Sequence, residues 1–111
     1  MDERLPAHVE IAAMIRRCEA LAGFAAVLAK GERDAGTVLV VTIGQGKPSC
    51  LYERMPHADG NRRYIAAKRE NPENPREFAD YLARRRAQDR DLWLIELDVP
   101  DAERFIASWG E

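Results

Sequence analysis

The sequence predicts an α+β fold: a curved, mostly antiparallel five-stranded sheet with helices packed on it, in the order α-β-β-β-β-α-β-α. Three observations carry this. Apolar residues recur at helical spacing near the N-terminus, in residues 75–90 and after Pro100. β-branched and apolar runs fill the stretches between these helices. Three of the strands follow one another through short turns, which implies antiparallel pairing.

Residues 6–22 read as the first helix. Ile11, Met14, Ile15, Cys18, Leu21 and Ala22 make one apolar stripe, and Glu10, Arg16 and Glu19 fall away from it. Pro6 suits the first turn and Gly23 the stop. Residues 24–30 form a strand, and Gly31-Glu32-Arg33-Asp34-Ala35-Gly36 a turn. Residues 37–43 are apolar on both faces, which places them centrally in the sheet. Gly44-Gln45-Gly46-Lys47 leads into residues 49–55, where Cys50 and Tyr52 alternate with Leu51 and Glu53. Asp59-Gly60 marks a turn before the fourth strand, residues 62–68. Asn74-Pro75-Arg76-Glu77 opens the second helix, with an Asn cap, Pro at the first position and Glu three residues after the cap. Phe78, Tyr81 and Leu82 face inward from it. Residues 92–97 form the fifth strand. Pro100 and Asp101 start a short helix whose stripe is Ala102, Phe105, Ile106 and Trp109.

At 111 residues the chain reads as one domain, residues 1–111. Hydrophobic residues make up 46%, enough for one core. Charged residues reach 32%, yet the net charge is −2, which excludes a globally basic nucleic-acid binder. Two cysteines are too few for a disulfide framework, although a single Cys18–Cys50 bridge stays open. Met1-Asp2-Glu3-Arg4 offers no basic region ahead of an apolar stretch. Apolar runs such as residues 38–41 are far short of a membrane span. A cytoplasmic protein with reduced thiols and no membrane association is expected.

The chemistry-bearing residues form no catalytic constellation. Gly44-Gln45-Gly46-Lys47-Pro48-Ser49 lacks the glycine spacing and the following helix of a phosphate loop, so it reads as a hairpin turn. Cys18 lies on an apolar stripe that disfavours a thiolate. Cys50 and His57 have no spacing that sets an imidazole on the sulfur. Two His and two Cys show no ligand spacing, and Glu53, His57 and Asp59 read as a polar hairpin end rather than a cation site. No cofactor, metal or catalytic residue is assigned.

Charge is unevenly placed. Residues 54–90 carry ten basic and six acidic groups; residues 91–111 carry one basic and six acidic. Fourteen of the seventeen basic residues are Arg, whose planar fork suits carboxylate or phosphate. Arg84, Arg85 and Arg86 point about 100° apart and cannot form one patch. Asp80 with Arg84, and Arg85 with Asp89, suit helical ion pairs. RNA binding is disfavoured, since only Tyr64 and Tyr81 stand near as stacking partners. Trp93 is expected in the core, and an exposed Phe105–Trp109 stripe would mark a dimer contact.

Three segments resemble the bacterial family designated domain of unknown function 1491. One is the first helix with Arg16-Arg17, running into the Ala-rich residues 24–29. The second is Asp34-Ala35-Gly36 leading into the Val-rich residues 37–41, and the third is Asp91-Leu92-Trp93-Leu94-Ile95-Glu96. The resemblance implies a short stand-alone bacterial protein and carries no activity, cofactor or catalytic residue onto individual positions.

The leading expectation is a non-enzymatic interaction or regulatory module that pairs with a protein partner or with itself. An alternative is an anionic small-molecule binder, or an unrecognised enzyme, using Arg16, Arg17, Arg62 and Arg63. A weak RNA binder is the third reading, with salt-sensitive affinity as its signature.

Overall fold

The computed structural model describes residues 6–44, 46–56 and 62–109. Its elements are α1 (Ala7–Ala20), β1 (Phe24–Ala29), β2 (Val38–Thr42), β3 (Cys50–Pro56), β4 (Arg62–Arg69), α2 (Pro75–Gln88), β5 (Trp93–Asp98) and α3 (Ala102–Ser108). The expected order and α+β class are those observed. One sheet runs β1-β5-β2-β3-β4. Every neighbouring pair is antiparallel except β2 with β5.

β1 and β2 are consecutive yet do not pair, because β5 inserts between them. The side chains explain this. β5 buries Trp93, Ile95 and Leu97 on one face and Leu94 on the other, so it belongs inside the sheet. β2 is buried along its whole length and takes the centre, as expected. β1 is largely exposed and is left at the edge. β4 pairs with β3 and forms the other edge.

The sheet separates two apolar clusters. On one face α1 and α3 bring Ile11, Met14, Cys18, Phe105 and Ile106 onto Val38, Val40, Tyr52, Trp93 and Ile95. On the other, α2 lays Phe78 against Leu39, Leu51, Leu92 and Leu94. A fully buried side chain of this size stabilises by roughly 1.5–3 kcal/mol. α1 buries Ala7, Glu10, Ile11, Met14 and Cys18, whereas α2 buries only Phe78 and half-buries Tyr81 and Leu82. The two faces are therefore held by different means.

The starts of α1 and α2 are capped by backbone, and at α2 a side-chain cap was expected. α1 has no side-chain cap; instead Ala7 and His8 donate their N–H groups to the carbonyls of Asp34 (3.0 Å) and Arg33 (2.9 Å). That satisfies two donors every helix start leaves open. The Glu32 carboxylate holds this loop by accepting from Ala35 N (2.5 Å) and Asp34 N (2.8 Å), which keeps it below the usual carboxylate range. Gly31 and Gly36 close the loop around the Asp91 carbonyl, where a Cβ on either would stand 2.1 Å from the oxygen. Asn74 caps α2 without a side-chain bond, and its carbonyl accepts from Glu77 N (3.3 Å). The Glu77 carboxylate reaches Lys68 (3.3 Å) instead of turning back to the helix start. At the end of α1 the left-handed turn falls on Ala22 (φ 63°), one residue before the expected Gly23.

The Phe105–Trp109 stripe turns inward. Phe105 and Ile106 are buried, and Trp109 packs half-buried on the cluster, stacked on Phe105 at 6.1 Å. It is core, not a contact surface. Trp93 is core as expected, and its Nε1 donates to the Glu32 carbonyl (2.6 Å).

Candidate functional site: a sealed carboxylate and an open sheet edge

Glu10 departs most from its expected place. It sits on the buried face of α1, not away from it. Three elements converge on its carboxylate. Arg54 of β3 donates Nη1 to Oε1, Tyr64 of β4 donates its hydroxyl to Oε2 (2.5 Å), and Trp109 after α3 donates Nε1 to Oε2 (3.3 Å). The Arg54 Nη2 continues to the Gly36 carbonyl (3.2 Å), tying in the loop that caps α1. The side chains of Arg54 and Glu10 are 8% and 10% exposed. Among the described residues, no buried side-chain nitrogen or oxygen lacks a partner. A general acid or base needs access to a reacting atom and a free valence. All three donors to this carboxylate come from the fold itself, so it acts as a clasp joining α1, β3, β4 and the chain after α3.

The signal for Glu10 lies in the spacing. It falls three residues after Ala7 and four before Met14, a core position carrying a charge.

The four arginines of the anion reading divide between elements. Arg16 and Arg17 are exposed on α1. Arg63 is exposed on β4. Strand alternation sets Arg63 opposite to Tyr64, which points at α1 through Glu10, so the sheet separates Arg63 from the α1 arginines. The side chain of Arg62 lies outside the described residues, as do His57 and Asp59 of the thiol and cation readings. The third member of that cation trio, Glu53, accepts from Arg85 at 3.0 Å. Among the described residues no group of three His, Cys, Asp or Glu could hold a metal ion. Both cysteines are free and buried. Burial, then the charges of Glu19 and Asp98, push the Cys18 thiol up, and its Sγ donates to the Phe24 carbonyl (3.2 Å).

The basic middle of the chain pairs across elements. Arg85 goes to Glu53 of β3, not to Asp89, and the bond to Glu53 raises its guanidinium above its ordinary range. The Tyr81 hydroxyl accepts from Arg85 (3.2 Å), and Lys68, Arg84 and Arg85 lie 5.2, 5.9 and 6.0 Å from its ring centre. Both tyrosines offered as stacking partners for RNA are engaged: Tyr64 with Glu10, Tyr81 with this cation cluster.

The sheet edges differ sharply. β4 carries Arg62, Arg63, Lys68 and Arg69. β1 reads Phe-Ala-Ala-Val-Leu-Ala, without a charge. Phe24 is 77% exposed, Val27 44% and Leu28 39%, and Leu21 just before the strand is 47% exposed. β5 is the only strand beside β1 among the described residues, so its outer backbone row is left without a strand neighbour.

The chain and its fold match one family. The family described as protein of unknown function (DUF1491) matches residues 5–107, and the chain belongs to it. The solution structure of protein Atu0922 from A. tumefaciens is similar, with a TM-score of 0.75 and 28% identity over 97% of each chain. An NMR structure of a DUF1491 family protein from Caulobacter crescentus CB15 gives a TM-score of 0.75 and 30% identity over 93% of each chain. The crystal structure of a DUF1491 family protein from the same organism gives 0.72 and 29%, over 91% of this chain and 94% of that one. No curated protein matches the chain.

Proposed function

We propose that this protein is a cytoplasmic, non-enzymatic interaction module that works by strand addition at β1. An extended protein segment lies along the outer side of β1 and continues the sheet. The reading rests on the uncharged, exposed β1 edge. Such an edge presents a row of N–H and C=O groups ready to pair, and proteins ordinarily blunt it with charge. β4 is blunted in that way; β1 is not. The sealed state of the Glu10 carboxylate supports the non-enzymatic part, since the best-assembled polar group is fully engaged with the fold itself.

Site-specific photocrosslinking in the protein's own cells tests this. A photoreactive phenylalanine analogue replaces Phe24 on β1 in one strain and Ile65 on β4, also an exposed apolar edge position, in another. The expected result is a discrete covalent protein adduct from position 24 and little from position 65. No adduct at 24, or equal yields at both, would overturn the reading.

A further inference from the structure

We propose that the strand added at β1 is the β1 of a second copy, antiparallel, about a two-fold axis perpendicular to the sheet at Ala26. This rests on the strand-addition reading and names its occupant.

The face of each residue limits the register. Ala25 pairs with Leu97 of β5 and packs with it on the α1 side. Phe24 pairs with Asp98 and Ala26 with Glu96, so both point to the α2 side. In a continuous antiparallel sheet, directly opposite residues share a face. An axis at a residue satisfies this; an axis between two residues does not. Ala26 is exposed and small, whereas Ala25 is partly covered by the core. With the axis at Ala26, Val27 of each copy faces Ala25 of the other. Phe24 reaches diagonally across Ala26 of the other copy, which covers the most exposed apolar side chain of the edge. The irregularity between Val27 and Ala29 confines regular pairing to the first part of the strand.

Charge favours the same arrangement. Lys30 stands just past one end of β1. At the other end stands Glu19 of α1, whose carbonyl accepts from Ala22 N (3.0 Å). Antiparallel pairing about Ala26 brings the Lys30 end of each copy towards the Glu19 end of the other. The strand between is uncharged, so two copies meet without repulsion.

An Ala26→Cys variant of the full chain tests the axis directly. Opposite residues across an antiparallel pair lie about 4.5–5.5 Å apart at Cα, within the range a disulfide spans. Mild oxidation at micromolar concentration is expected to convert most A26C to a linked dimer on a non-reducing gel. The unsubstituted chain stays unlinked there, because Cys18 and Cys50 are buried, yet has dimer mass by light scattering. Val27→Lys sets an ammonium into the contact and is expected to lower the dimer fraction by about tenfold or more. A monomer mass for the unsubstituted chain, with A26C unlinked, overturns the second copy. If position 24 then still crosslinks to a protein of another mass, strand addition stands and only its occupant changes; if it crosslinks to nothing, both fall.

Discussion

Glu53 and Arg54 are neighbours on β3 and point to opposite faces of the sheet, and each finds an opposite charge on a helix. Arg54 meets Glu10 of α1 in a setting where both side chains are about nine-tenths buried. Glu53 meets Arg85 of α2, with the two side chains 22% and 24% exposed. The geometry is alike and the consequence is not. A sealed pair has no water to replace a lost partner, so breaking it leaves a bare buried group. A quarter-exposed pair is rehydrated and screened when broken. One sequence step on β3 thus separates a clasp from a bridge that water still reaches.

Mutation breaks that comparison at its strong end first. Arg54→Ala is expected to cost about 3–5 kcal/mol, read as a lowered urea midpoint with an unchanged slope. Replacing both partners together, Glu10→Leu with Arg54→Met, should cost less than Arg54→Ala alone, because no unpaired buried charge remains. A loss below about 1 kcal/mol for Arg54→Ala, the range of exposed pairs, would show that water reaches the node.

Trp109→Phe sharpens it next. It keeps a ring on Phe105 and removes the Nε1 donor to Glu10. A cost of about 1 kcal/mol is expected in thermal or urea melts, typical of one hydrogen bond. The effect should vanish in the Glu10→Leu/Arg54→Met background. An equal loss there would mean that indole packing, not the bond, matters.

At the weak end, Arg85→Ala is expected to cost about 0.5–1 kcal/mol after screening is allowed for. Added salt should narrow its difference from the unsubstituted chain, while leaving the Arg54→Ala difference nearly unchanged.

The smallest effect at neutral pH lies in Tyr52, beside Glu53 and on the Arg54 face. Burial first, and its bond with Cys50 second, push the Tyr52 phenol up to about 12. The folded protein then holds this proton more tightly than the unfolded chain. Its stabilisation is complete below pH 10.0, the ordinary value for a tyrosine, and is lost as pH rises towards about 12. Tyr52→Phe should flatten the fall in stability across that window, measured by urea melts from pH 9 upward, roughly the onset of tyrosine ionisation. An unchanged slope would place the alkaline loss elsewhere.

Most of the fold was legible along the chain. The stripe through Ile11, Met14 and Cys18 locates α1, and Pro75 starts α2 where it was expected. Residues 92–97 read as a strand for the reason that buries it: large apolar side chains on both faces. The candidate site was far less legible. Glu10 looks like any surface glutamate until Tyr64, 54 positions away, and Trp109, 99 positions away, are brought to it. Arg85 has an acceptor four residues on at Asp89, and local spacing alone cannot tell that Glu53 lies nearer. The bareness of β1 appears only once β5 has taken the place beside β2.

Local physics therefore determined what the sequence says by itself: where helices and strands run, which residues are apolar enough for the core, and that β2 is central. Backbone propensity and side-chain period act over a few residues, and those few residues are always present in the sequence. Tertiary structure alone decided strand order, the sealing of Glu10 and the exposure of Phe24. Each depends on which distant segments exclude water from one another, and that exclusion exists only when the chain has folded.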